Sequence, residues 1–200
     1  MSLLSLPGRL LIGLSALFAV AALFVSPGFF TIDEVVYMLG ADAFARGQGY
    51  VVDNGYSAFG SDALKIWFLQ PGVDGLVSQY PAGTAWAGAL LLSLFGAKGL
   101  IALNVAAGIA TLFATRALAL ALFGSEKVAL GAVALLALAS FWPEYLFGHW
   151  PHAVSVLCTT LALVFFLRAL PRETGALGPA VFAGAAIGVG LLFRLDGVLL

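Results

Sequence analysis

Between residues 100 and 123 a single charge, Arg116, breaks an otherwise apolar run, and comparable runs recur along the chain. A helix needs about 20 mostly apolar residues to cross the hydrocarbon layer of a bilayer. Residues 10–25, 100–123, 128–141, 154–167 and 176–193 all read as membrane helices. Inside lipid every backbone N–H and C=O must be satisfied by the protein itself, so runs of this kind fold as a helical bundle. The expected fold class is therefore an all-α integral membrane protein. Composition agrees: of 200 residues, 62% are hydrophobic and only 10% charged, and mean hydropathy is +1.07. Such a chain has too few charges for a soluble domain. A net charge of −1 provides no basic surface for nucleic acid.

The first run follows Arg9 and closes at Ser26-Pro27-Gly28. Ala19-Val20-Ala21 has the small-residue pattern of a signal-peptidase site. The length of the run and the spans behind it favour an uncleaved anchor. Cys158, the only cysteine, lies in an apolar run and reads as a small packing residue. Gly184 and Gly188 form a G-x-x-x-G, which predicts close helix contact. The chain breaks off as a new apolar run begins. Residues 1–200 thus read as one transmembrane domain, the N-terminal part of a longer protein.

Residues 30–83 form the one extended polar region, a first external loop carrying juxtamembrane helices. It holds Asp33, Glu34, Asp42, Asp53, Asp62 and Asp74 against Arg46 and Lys65. These acids offer oxygen ligands without ordered spacing, which leaves a divalent cation open. After this loop comes "TAWAGALLLSLF", apolar but short for a span. If it only dips into the membrane, Arg116, Lys127, Arg168 and Arg172 fall on the side of Arg9, with Lys98 and Arg194 opposite. If it spans, that assignment inverts. The positive-inside rule prefers the dip. The dip also brings Glu144, His149, His152, Arg194 and Asp196 to the face of the acidic loop. Converging polar groups at a membrane face make a site.

Four stretches carry the chemistry. In "TIDE", Thr31 and Glu34 fit a capping box, and Asp33 either favours the helix dipole or acts as a base. Tyr37 follows Asp33 by one turn. In "SQYPAGTAW", Tyr80-Pro81 ends the loop, and Tyr80 and Trp86 read as interfacial aromatics or as site residues. In "FWPEYLFGHWPHA", Glu144, His149 and His152 are candidate substrate contacts, while Trp142, Tyr145 and Trp150 read as interfacial anchors. His149 and His152 lack the partners of a zinc site. In "FRLDG", Arg194 is either a snorkelling helix end or a cation for phosphate, with Asp196 beside it. Asn104 predicts an interhelical hydrogen bond. No phosphate-binding glycine loop or dinucleotide motif is present in the sequence.

The order of an external Asp-Glu followed by "VVYMLGADAFARGQGY", then "QYPAGTAWAGALLLSLFG", then "GLIALNVAAGIATLFATRALALALFG" resembles the membrane-embedded GT-C glycosyltransferases. Within them it is similar to the group of protein O-mannosyltransferases and lipid A aminoarabinose transferases. One departure stands out: the Pro-Pro frequent in that group's second motif is Pro81-Ala82 here, without an adjacent Lys. The resemblance implies a GT-C-like transmembrane bundle. It implies transfer of a sugar from a polyprenyl-phosphate donor to a glycan, lipid or protein acceptor outside the cytoplasm of a bacterium, with inversion. Asp33 would be the base, with Glu34 as its structural neighbour. Arg194, backed by Lys65, would face the phosphate, and Tyr37, Tyr80 and His149 would orient sugar or acceptor. A transporter or lipid-linked glycan flippase, and a non-enzymatic assembly subunit, are the competing readings; the long first loop speaks against a transporter.

Overall fold

A computed structural model of the chain describes residues 5–170 and 176–195. In chain order its elements are α1 (Leu6–Phe24), α2 (Ile32–Ala45), β1 (Val51–Val52), α3 (Tyr56–Phe59), β2 (Leu69–Pro71), β3 (Leu76–Ser78), α4 (Ala82–Phe95), α5 (Gly99–Phe123), α6 (Glu126–Leu138), α7 (Trp142–Phe147), α8 (His152–Ala169) and α9 (Leu177–Phe193). Helix dominates, as the apolar runs require. Among the described residues, three helical stretches, Leu6–Phe24, Ala82–Phe123 and His152–Ala169, are long and apolar enough to cross a membrane. The middle one is two helices, because α4 and α5 are separated by a 3-10 turn that starts at Gly96, φ +59°.

Local chemistry sets the helix ends. Ser5 caps α1 by accepting from the Gly8 amide, with Pro7 in the first turn. Thr31 and Glu34 form the expected capping box on α2. Gly124 adopts the left-handed conformation that closes α5, and Ser125 caps α6 one residue later. Arg116 pairs with Glu126 across that turn.

Packing then fixes which helix ends lie together. Lys98, at the start of α5, donates to the Leu23 carbonyl at the end of α1 (2.7 Å), so these helices run antiparallel. The end of α9 meets the start of α8 through Arg194 and His152. The start of α4 meets the end of α9, where Gly83 lies against the Leu192 carbonyl. The far end of α4 folds back so that Gly99 touches the Leu91 backbone. Both ends of α4 therefore sit at one end of the bundle. At 1.5 Å per residue its 14 residues reach only ~21 Å against the ~30 Å of hydrocarbon. On its own the segment is short for a span, and it packs on α2.

The run at 128–141, expected to be a membrane helix, is shorter than a full span. α6 has 13 residues, ~20 Å. The chain then turns into α7, which presses Leu146 against Gly108 of α5. A Cβ at Gly108 would lie 2.5 Å from the Leu146 side chain. Asn104 Nδ2 donates to the Gly148 carbonyl (2.8 Å), which is the interhelical bond the sequence suggested. The G-x-x-x-G expectation is corrected: neither Gly184 nor Gly188 has a described atom within 4 Å of its Cβ position. Gly190 makes the close approach instead: a Cβ there would lie 3.1 Å from Cβ of Cys158 on α8.

The polar loop contains a small sheet that alternation in the sequence did not reveal. Its strands are antiparallel in the order β1-β3-β2, with Val51 opposite Val77 and Leu69 opposite Ser78. Leu69, Leu76 and Val52 pack with Val36 of α2 into a separate core. The loop is thus a built cap on α2.

Candidate functional site

The first turn of α2 sends two carboxylates in different directions. Successive helical residues are about 100° apart. Asp33 turns toward the polar loop, where its Oδ1 accepts from the Tyr80 hydroxyl. Glu34 turns into the bundle and is 1% exposed.

Tyr80 is held tightly. Its ring stacks on Tyr37 (4.5 Å between centroids, 22° between planes) and is tilted against Phe68 (5.4 Å). Its amide donates to Ser78 Oγ (3.1 Å). Phe68 lies at φ +68°, a left-handed conformation unusual for a bulky side chain. Burial first, and then the Asp33 carboxylate, push the Tyr80 phenol above its ordinary range, with Arg194 pulling the other way. The phenol therefore keeps its proton and is a lasting hydrogen-bond donor and a poor acid.

Arg194 follows the last residue of α9. With Tyr37, Gln79, Tyr80, Pro81, Phe193 and Leu195 it lines a cavity of about 260 Å³. Arg194 Nη1 lies 2.8 Å from His152 Nε2. A guanidinium only donates, so His152 accepts through Nε2. The His152 ring stacks on Tyr145 at 4.5 Å and 9° and lies 5.5 Å from Trp150. These contacts aim the guanidinium at the cavity from behind.

Glu34 and His149 lie on the inner side. Glu34 Oε2 accepts from the Phe30 amide (2.7 Å) and the Thr31 amide (3.2 Å), and Oε1 accepts from the His149 amide (3.0 Å). His149 is fully buried, its ring 4.8 Å from Phe29. Its Nδ1 is 3.5 Å from Glu34 Oε1, long for a hydrogen bond. Trp150 Nε1 donates to Thr31 Oγ1 (3.1 Å). Together these bonds tie the start of α2, and so Asp33, to the turn that carries His152.

The candidates thus separate. Tyr37, Tyr80 and Arg194 line the cavity, with Asp33 on the Tyr80 hydroxyl and His152 behind Arg194. Glu34 and His149 form a buried brace behind it. Glu144 is exposed and lines a second cavity of about 310 Å³ with Phe30, Glu34 and Trp150. Lys65 is exposed beyond a 3-10 turn, and no described contact joins it to Asp33, Tyr80 or Arg194. Asp196 lies outside the described residues. Among the described residues, no group of three or more His, Cys, Asp or Glu is placed to hold a metal ion.

One expectation changes. Trp142 is no interfacial anchor: it is 2% exposed, in the core between α5 and α7. Tyr145 stacks on His152, and Trp150 donates to Thr31. Gly83, in the first turn of α4, permits the tight entry its position in the sequence predicts and lets α4 approach the helix end carrying Arg194. The residue the sequence did not single out is Phe68, whose strained backbone sets its ring on Tyr80; that conformation had no visible signal.

A profile of the dolichyl-phosphate-mannose-protein mannosyltransferase family matches residues 79–200. No curated protein and no solved structure matches the chain. The matched segment holds Tyr80, Glu144, His149, His152 and Arg194, with Asp33 and Glu34 ahead of it, and it spans more than half of the sequence. A transporter or a non-enzymatic subunit gives way to this finding: the chain belongs to the dolichyl-phosphate-mannose-protein mannosyltransferase family and is a membrane glycosyltransferase.

Proposed function

We propose that the protein transfers a sugar from a polyprenyl-phosphate donor to an acceptor hydroxyl on the external face of a bacterial plasma membrane. One observation carries this reading: Tyr80, whose hydroxyl is held by Asp33, lines one cavity with Arg194, which is far away in sequence. A donor whose lipid lies in the bilayer presents its phosphate at that height. Charge distribution supports the external face. Arg9, Arg116, Lys127 and Arg168 gather at the opposite end of the bundle, which the positive-inside rule assigns to the cytoplasm.

In the proposed reaction Asp33 takes the proton of the acceptor hydroxyl. The hydroxyl oxygen attacks the anomeric carbon as the bond to phosphate oxygen breaks, and the electron pair leaves with the polyprenyl phosphate. General-base help of this kind contributes roughly 10²–10⁴-fold. Arg194 faces the phosphate, where a fixed cation stabilises the charge that develops. A single displacement inverts the sugar carbon.

The test uses the complete gene. A deletion strain receives wild type or Asp33→Asn, and its surface glycans are analysed by mass spectrometry. A sugar lost on deletion, restored by wild type and missing with normally expressed Asp33→Asn supports the reading. Full restoration by Asp33→Asn defeats the assignment of the base.

A further inference from the structure

The base of the proposed reaction is already occupied. Asp33 Oδ1 accepts from a phenol that belongs to the loop before α4. Tyr80 does not cap α4: the N-cap position is Pro81, and no side-chain hydrogen bond caps that helix. The phenol is clamped between Tyr37 and Phe68, and it also forms part of the wall of the Arg194 cavity.

We infer that Tyr80 is a stand-in for the acceptor: in the resting site its hydroxyl occupies the place on Asp33 that the acceptor hydroxyl takes during transfer. This inference rests on the reading of Asp33 as the base. The phenol already occupies Oδ1 of Asp33, so water reaching the cavity has to displace it before that oxygen can take a proton. An acceptor with binding energy from the rest of its structure can displace the phenol; water has none. The displaced hydroxyl stays on the cavity wall beside Arg194, where it can donate to the departing phosphate. Tyr80 is thus a specificity-determining residue that directs the sugar to the acceptor and away from water.

The side reaction it suppresses is balanced. Water gives a proton to Asp33, its oxygen bonds to the anomeric carbon, and the bond to phosphate breaks. The products are free sugar and polyprenyl phosphate.

The test uses the full-length protein with dolichyl-phosphate mannose labelled in the sugar as the probe. A membrane extract of the deletion strain supplies the acceptor. Free label and transferred label are counted separately. Tyr80→Phe is expected to raise the ratio of free to transferred sugar roughly tenfold, the scale of one hydrogen bond to a charged group. Its KM for the extract should fall. Replacing Tyr80 by 3-fluorotyrosine keeps the shape and makes a stronger donor, so the ratio should drop and KM rise; this variant decides the matter where Tyr80→Phe does not fold. Hydrolysis should vanish in Asp33→Asn/Tyr80→Phe. An unchanged ratio in both single variants, with wild type transferring normally, overturns the inference and leaves the transferase reading standing. Hydrolysis that persists without Asp33 overturns it too. Wild type that neither transfers nor hydrolyses this donor, in membranes where the gene restores a glycan, overturns the donor reading and this inference with it.

Discussion

The Tyr80 hydroxyl donates to Oδ1 of Asp33 and so joins the first turn of α2 to the entrance of α4. An amide at position 33 can still accept that bond but cannot take a proton at neutral pH. Asp33→Asn should therefore lower kcat by roughly 10²-fold or more while leaving the thermal midpoint nearly unchanged. Steady-state transfer alongside a melting curve checks both. A large loss of stability with intact turnover would make Asp33 a structural residue.

Arg194 is placed by His152 and faces the cavity. Arg194→Gln should cost about 10²–10³ in kcat, the scale of removing one stabilising donor from a transition state. Arg194→Lys keeps the charge but loses the planar fork, and should recover only part of it. Donor KM and kcat for the two variants separate phosphate stabilisation from simple binding. Equal activity in all three proteins would remove Arg194 from the site.

Glu34 serves three backbone amides, from Phe30, Thr31 and His149. Glu34→Gln has one acceptor oxygen in place of two and no charge. A hydrogen bond to a charged group contributes about 1.5–3 kcal/mol, so the variant should lose roughly that much stability at least. Activity should fall as well, because Asp33 rides on the same turn. Thermal unfolding in lipid nanodiscs measures the first effect.

Gly83 and Gly184 make opposite forecasts. A methyl at Gly83 meets the Leu192 carbonyl, and overpacking of this kind costs about 1–3 kcal/mol. Gly83→Ala should also move the helix end that carries Arg194 and reduce transfer. A methyl at Gly184 meets nothing described, so Gly184→Ala should be neutral or stabilising by up to ~1 kcal/mol from helix propensity. Melting temperatures of the pair decide the point.

Alkaline pH should reveal Tyr80. Its phenol is held above the ordinary value of 10.0, by burial first and the Asp33 carboxylate next. In the unfolded chain it ionises at the ordinary value, so the stability this shift contributes is complete below that pH. It is lost as pH rises from there through the folded value. The melting temperature of wild type should fall more steeply above pH 10 than that of Tyr80→Phe. Burial also raises Tyr50, which adds a background slope common to both proteins.

Much of this architecture is legible in one dimension because membrane helices announce themselves. A long apolar run with at most one charge satisfies its backbone in lipid as a helix, so α1, α5, α8 and α9 follow from hydropathy alone. The capping box at Thr31 and Glu34 is likewise local: its partners are three residues apart. The small sheet was hidden because its strands are two or three residues long and are stabilised by contact with α2. α7 was hidden because its six residues are ordered by α5, through Leu146 on Gly108 and Gly148 on Asn104.

The sequence by itself determined that the chain is a helical membrane protein, where its spans fall, and which polar residues are available at their ends. Those facts depend on the cost of burying charge and unpaired backbone in lipid, which every residue registers independently. Only the tertiary structure decided that α4 packs on α2 with both of its ends at one end of the bundle. Only it decided that Tyr80 sits on Asp33, that Arg194 leans on His152, and that Glu34 holds the amide of His149. Each of those contacts joins segments whose separation in sequence says nothing about their distance in space. They form because packed helices leave few ways to satisfy buried polar groups, and the fold settles where each partner is.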